Sequence, residues 1–283
     1  MKLEKKDLRA FKKYAIPLIG YKKVDEVTRY DLIELIKKIP KIKLPNATRT
    51  QNKTATAKEV FNYVKRCLDY ALNMGYIEVN PAYGIDVAHI LPKEQKSKMK
   101  AVIDEDGVKE LYKKISSYEY KAGRYIMQFQ ALTALRNVGL YRLKWEYIDW
   151  DKKIIIYPPN TYKANKEVFR LPLTNTLIEI LNYFKTINYS SEFVFINKPI
   201  KEDSFSNRLK KYYSTLKITN HSPHGWRSSF KSLARKLRLA DNDTIEMQLN
   251  HSLGNKVIEA YMRDDLLEER RELLIKWENF LTS

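Results

Sequence analysis

The chain has 283 residues, 52 Lys+Arg against 34 Asp+Glu (net +18), and 44% hydrophobic residues. It is longer than a typical single domain and apolar enough for real cores, so two domains are expected, and the charge calls for a polyanionic partner. A single cysteine, Cys67, excludes an internal disulfide and any cysteine-based metal cluster. No apolar run approaches the ~20 residues of a membrane span. The opening MKLEKKDLRAFKK has no signal-peptide apolar core, so a soluble cytoplasmic protein is expected. The charge is uneven: residues 1–100 hold 22 Lys+Arg against 11 Asp+Glu, a front region suited to a phosphate backbone. A lysine-rich solvated surface is the plain alternative.

In chain order, VDEVTRYDLIELIKKI at 24–39 predicts a helix. Thr28 is its N-cap, Asp31 completes a capping box, Leu32, Leu35, Ile36 and Ile39 form one face, and Pro40 ends it. Helical spacing returns at 54–74 through Ala57, Val60, Phe61, Val64, Leu68, Ala71 and Leu72, with Gly75 closing the helix. The first region is therefore helical, with basic and polar residues crowded at 46–58. Residues 88–102 contain one proline, many lysines and no periodicity, as a linker does. Beyond it, Asp104 caps a helix to about Ser117, and a second helix covers roughly 122–136. IIIY and VFRL are short β-type runs around a lysine-bearing turn, followed by a helix at 174–187, a strand FVFI at 193–196, and helices to the end. In the last helix Leu266, Leu267, Arg270, Leu273, Leu274, Trp277, Phe280 and Leu281 share a face that needs a surface to cover it, on its own domain or on a neighbouring subunit.

Three of the four histidines, His221, His224 and His251, lie in forty residues that also hold Arg227 and Tyr261. Cleaving a phosphodiester without a metal requires cations on the non-bridging oxygens, a nucleophile, and an acid for the leaving oxygen. Arginine suits the first task, and a tyrosine can serve as nucleophile if surrounding positive charge helps it to ionise. A lysine or histidine can protonate the departing alkoxide. There is no HExxH motif, cysteine pair or carboxylate cluster, and only 8 glycines, so neither metal nor ATP use is expected and no cofactor is implied. Each residue alone has a plain explanation: an arginine that snorkels, a capping histidine, a solvated turn lysine.

Their joint order resembles the tyrosine recombinases, the phage integrase family, and among them the integrases of satellite prophages and genomic islands. ALTALRNVGLYRLKWEYID matches the family's first box and selects Arg136; TYKANKEVFRLPL matches its β-hairpin lysine and selects Lys163. PHGWRSSF matches the H-x-x-R box and selects His224 and Arg227, while LNHSLGNKVIEAYMR selects His251 and Tyr261. The ten-residue step from His251 to Tyr261 and the LLEERRELLIKWENFL tail are of the island type. The likeness is strong over about 100–283 and weaker over 8–86, where TAKEVFNYVKRCLDYALNMGYIEVNPA resembles a core-binding domain.

The resemblance implies a mainly α (α+β) fold: a SAM-like helical core-binding domain at 1–88, a linker at 89–102, and a mostly helical catalytic domain with a small antiparallel sheet at 103–283. It implies a site-specific recombinase that cleaves and rejoins duplex DNA at attachment sites, for integration and excision of a mobile element such as a viral genome. Tyr261 would attack a phosphate to form a 3′-phosphotyrosine bond, Arg136 and Arg227 would hold the non-bridging oxygens, and His224 and His251 would support them. Lys163 would protonate the 5′-oxygen, with Lys166 as the fallback acid, and His221 drops out as structural. The two domains would clamp DNA, four protomers would assemble on paired sites, and DNA-bending accessory proteins would take part in some reactions. Binding would weaken steeply with salt. The last helix is the candidate for a swapped contact between protomers. Two departures stand out. The family's acidic residue three positions after the first arginine is Gly139 here, which bears on how Arg136 is oriented. The usual arm-binding domain does not precede the first core-binding helix, as in a truncated or shortened relative. A DNA-binding regulator of the same fold and a type IB-like topoisomerase are the alternative readings.

Overall fold

A computed structural model describes residues 5–42, 54–91, 100–161, 167–251 and 265–283. The chain divides into two compact units, Met1–Ser97 and Lys98–Ser283.

The first unit is helical. Helix α1 (Lys5–Ala10) runs through a π-helical turn at Phe11–Ala15 into α2 (Ile16–Ile19); α3 is Arg29–Lys38, α4 Thr54–Asn73 and α5 Val87–Ile90. Thr28 and Asp31 form the predicted capping box: the Thr28 N–H donates to Asp31 Oδ2 at 2.9 Å and Thr28 Oγ1 accepts from the Asp31 N–H at 3.3 Å. Lys22 also bonds Asp31, at 2.8 Å, and with Thr28 it holds that carboxyl down at about 2. The helix then passes into a 3-10 turn, Ile39–Lys41, which contains Pro40 and in which Ile39 is buried. The buried stripe of α4 is Ala57, Val60, Phe61, Val64, Leu68 and Ala71, and it packs against Leu32, Leu35 and Ile36 of α3. Gly75, at φ +73°, supplies the left-handed turn beyond its end.

Both ends of the expected linker are packed into folded units. Leu91 joins Val87 in the first core. Val102 is buried in the second, where its N–H donates to His221 Nδ1 at 3.0 Å, and Lys100 C=O accepts from the Ser222 N–H at 3.0 Å. Residues 92–99 lie outside the described residues, as does much of the basic stretch 46–58.

The second unit contains α6 (Glu105–Ser116), capped by Asp104, then α7 (Lys121–Thr133), α8 (Asn137–Tyr141), α9 (Asn175–Asn188), α10 (Glu202–Thr215), α11 (Gly225–Lys236), α12 (Asn242–Gln248) and α13 (Leu267–Thr282). Strands β1 (Ile148–Asp149), β2 (Ile154–Tyr157) and β3 (Phe169–Pro172) form an antiparallel sheet in the order β1-β2-β3, with Ile155 opposite both Ile148 and Leu171. The FVFI run is not a strand. Val194, Phe195 and Ile196 are buried, but their backbone makes only an isolated bridge from Phe193 to Lys144. The Asn188 side-chain amide donates to the Phe193 and Val194 carbonyls, at 3.0 and 2.8 Å, so those groups are met by a side chain instead of a ladder.

In the single chain α13 packs on its own domain, the first of the two surfaces expected to cover its face. Leu273, Leu274, Trp277 and Leu281 are buried in the core of the second unit. Trp277 Nε1–H donates to Ala131 C=O on α7 at 3.0 Å, and the indole meets Phe230 of α11 edge-on at 5.2 Å. Arg270 is only 1% exposed; its guanidinium donates to Arg170 C=O at 2.6 Å and to Gln248 Oε1 at 3.2 Å and lies over the Phe169 ring. Arg170 in turn grips Asp265 with two bonds of 2.7 and 2.5 Å. Among the described residues no helix is long and apolar enough to cross a membrane.

Candidate active site

Two short turns place the two arginines. Helix α7 was expected to reach residue 136, but it stops at Thr133 because Ala134 takes the left-handed conformation, at φ +52°. For a residue with a Cβ this costs about 1–2 kcal/mol. Side chains hold the turn in place: Thr133 Oγ1 bonds Phe129 C=O at 2.6 Å, and Gln130 Nε2 bonds Asn137 Oδ1 at 2.6 Å. Arg136 follows in extended backbone as the N-cap of α8. Helix α12 ends similarly: Asn250 sits at φ +48°, its N–H bonds Met247 C=O at 2.9 Å, and the His251 N–H returns to Glu246 C=O at 3.0 Å.

The carbonyls freed at these two helix ends carry the negative pole of the backbone dipoles, and they face guanidinium groups. Arg227, on the first turn of α11 and buried, donates to Ala134 C=O at 2.9 Å and to Leu249 C=O at 2.6 Å. Arg136 donates to the same Leu249 oxygen and to Asn250 C=O, both at 3.3 Å. Two guanidiniums thus share one carbonyl oxygen, although they come from segments 91 positions apart in sequence. Gly139 lies buried in α8; its N–H bonds Arg136 C=O at 2.8 Å and its C=O accepts from the Tyr157 hydroxyl at 3.1 Å.

The histidines close the group. His251 Nε2 is 2.7 Å from Arg227 Nη2, and its Nδ1 is 2.8 Å from Glu246 Oε2. A guanidinium only donates, so Nε2 must accept and the proton resides on Nδ1, pointing at the carboxylate. Burial, opposed by the bond to Glu246, lowers the His251 pKa, and the charges of Arg227 and Arg136 lower it further. His224, the N-cap residue of α11, is also shifted down, first by burial and then by Arg227, Arg136 and His251. Near neutral pH both imidazoles are therefore largely uncharged.

Arg136, His224, Arg227 and His251 come together, whereas Lys163, Lys166 and Tyr261 lie outside the described residues. His221 stands apart with a structural part to play. It is buried, stacked on Tyr213 at 6.3 Å and edge-on to Trp226 at 4.9 Å, and it accepts the Val102 N–H. A Cβ on Gly225 would lie 2.6 Å from Lys100 C=O and 2.9 Å from His221 Cε1, so only glycine fits where α11 starts. Sequence reasoning missed Glu246 and Gln248. Gln248 joins α12 to α7 through its 3.0 Å bond to Thr133 C=O, and Glu246 is signalled only by its five-residue step to His251 across a helix-ending Asn.

Two arginines and two histidines thus gather at helix ends in a unit that also holds a three-stranded antiparallel sheet. The Phage integrase family model matches residues 101–267, and the Phage integrase central domain model matches residues 2–88. The chain belongs to the phage integrase family. It is 25% identical to the integrase of Enterobacteria phage P4, over 97% of this chain and 64% of that protein. It is 26% identical to the integrase of Shigella phage Sf6, over 94% and 66%. The chain therefore spans slightly less than two thirds of the length of these relatives. Among solved structures, a λ integrase dimer bound to a core site aligns with a TM-score of 0.65 at 16% identity, covering 89% of each chain. The Tn1549 transposon integrase in complex with circular intermediate DNA aligns at 0.63 and 13%, covering 93% of this chain and 91% of that one. These two likenesses are of fold.

Proposed function

We propose that this chain carries the core-binding and catalytic parts of a site-specific DNA recombinase, which integrates and excises a mobile element by cleaving and rejoining duplex DNA through a 3′-phosphotyrosine intermediate. The observation that carries the proposal is the pair of guanidiniums, Arg136 and Arg227, held by one carbonyl oxygen beside His224 and His251. That is a preorganised cationic cradle for a phosphodiester, its orientation fixed before the substrate arrives. A bound phosphate supplies negative charge that offsets the two arginines, so both histidine pKa values rise and the rings become better donors to phosphate oxygens. Tyr261 is the nucleophile and Lys163 the acid that protonates the 5′-oxygen, with Lys166 in reserve. The adduct conserves the phosphodiester bond energy, so religation proceeds without ATP or metal.

The domain assignment, core binding at 1–88 and catalysis at 103–283 across a linker, belongs to the same proposal. So do duplex attachment sites as substrate, a homotetramer on DNA, DNA-bending accessory proteins and a cytoplasmic setting. The relatives are named integrases, and the solved structures include a λ integrase tetramer bound to a Holliday junction, which supports an assembly of this kind. A nicked suicide substrate carrying the attachment core tests the reading. The expected result is a covalent protein–DNA band that disappears in Tyr261→Phe. Tight binding to the cognate site with no adduct would instead favour the DNA-binding regulator.

A further inference from the structure

We infer that Glu246 is a positioning residue for His251, acting through the imidazole to keep Nε2 a hydrogen-bond acceptor for Arg227 until a phosphate oxygen enters; this rests on the recombinase reading of the site. Glu246 reaches His251 twice. Its carbonyl accepts the His251 N–H at 3.0 Å across the left-handed Asn250, and its carboxylate meets Nδ1 at 2.8 Å. The two contacts fix both the position of the backbone and the rotation of the ring. With the Nδ1 proton committed to Glu246, the lone pair on Nε2 faces Arg227 Nη2 at 2.7 Å, and the ring cannot turn over without losing both partners.

The carboxylate is itself held. Lys231, one turn beyond Arg227 on α11, forms an ion pair with Glu246 Oε1, leaving Oε2 for the histidine. Burial alone would push the Glu246 pKa up, but bonds from Lys231 and His251 bring it below the usual carboxylate range, so it stays ionised. Among the described residues, the groups acting on His251 are Glu246 from α12, Arg227 from α11 and Arg136 from the turn before α8. Glu246 is the one that favours a charged ring. When phosphate engages Arg227, the same carboxylate stabilises the imidazolium, and His251 changes from acceptor to donor with its ring already aimed.

The test uses the full chain. Long-range 15N–1H spectra of the imidazoles, assigned with His251→Gln, read tautomer and titration without requiring activity. Wild type is expected to show the Nδ1–H tautomer for His251. Glu246→Ala is expected to populate the Nε2–H form and to lower the midpoint, and Glu246→Gln to keep the tautomer while lowering the midpoint. On the suicide substrate, Glu246→Ala is expected to slow adduct formation by about 10- to 100-fold. Glu246→Gln should recover part of that loss, and Glu246→Ala should add nothing further in a His251→Ala background. An unchanged tautomer and midpoint in Glu246→Ala, or an equal loss with and without His251, overturns the inference. Absence of adduct in wild type would overturn the recombinase reading, and the spectra would still decide the role of Glu246 toward the ring.

Discussion

His221 makes the second unit acid-labile, by an amount that follows from its surroundings. The ring is buried between Tyr213 and Trp226, and burial lowers its pKa from 6.5 to about 4. Between those values the unfolded chain binds a proton that the folded protein refuses. The associated stability is complete above about pH 6.5 and is lost as pH falls toward 4. At about 1.4 kcal/mol per tenfold change in proton affinity, the loss is on the order of 3 kcal/mol, a large share of a typical domain's ~5–15 kcal/mol. Replacing His221 with Asn keeps an acceptor for the Val102 N–H and removes the titrating group. His224 and His251 are also shifted down and contribute with the same sign, but they are common to both proteins. All four tryptophans lie beyond residue 144, so urea unfolding followed by tryptophan fluorescence reports this unit alone. His221→Asn should be the less stable protein near neutrality, because it loses ring packing. Its deficit against wild type should shrink by about 3 kcal/mol on descending to about pH 4. A deficit that stays constant across that range would refute the argument.

Trp277→Ala removes a fully buried indole and its bond to Ala131 C=O, and should cost about 3–5 kcal/mol in urea unfolding. The unfolding midpoint should not depend on protein concentration, because α13 packs in cis; a concentration-dependent midpoint would place the helix on a neighbouring copy. Arg227→Lys keeps the charge but cannot span Ala134, Leu249 and His251 at once, so the suicide-substrate adduct should form about 10²–10³-fold more slowly with DNA affinity little changed.

Much of the fold was legible because local signals agreed with the packing. The Thr28–Asp31 box, the α4 stripe, the Asp104 cap and the face of α13 were each spelled by residue type and spacing, and each is found where expected. The failures occurred where tertiary context decided the outcome. FVFI has strand composition, yet Asn188 takes up the carbonyls that a ladder would have used. The front end of the second unit reads as linker because it has no periodicity, but residues 100–102 are fixed by bonds to residues 219–229, which no local pattern reveals. An amphipathic helix announces a face to be covered without naming the surface that covers it, so α13 could be predicted but not its cis docking.

The site divides along a similar line. Arg136, His224, Arg227 and His251 were legible because their side chains define motifs, whereas the backbone oxygens of Ala134, Leu249 and Asn250 that accept from the arginines carry no residue signature. This changes the meaning of Gly139. A missing carboxylate three residues after Arg136 suggests weak support only if side chains provide that support. Here the turn that ends α7 and the turn that ends α12 direct carbonyls at both guanidiniums, and Gly139 contributes its own N–H and C=O to brace α8 between Arg136 and Tyr157. Helix termination thus contributes to that orientation, and both ends carry a left-handed residue, at 134 and 250. Asn accepts that conformation readily; Ala does so only under compulsion from Thr133 and Gln130, so the strain at Ala134 is the cost of placing Arg136.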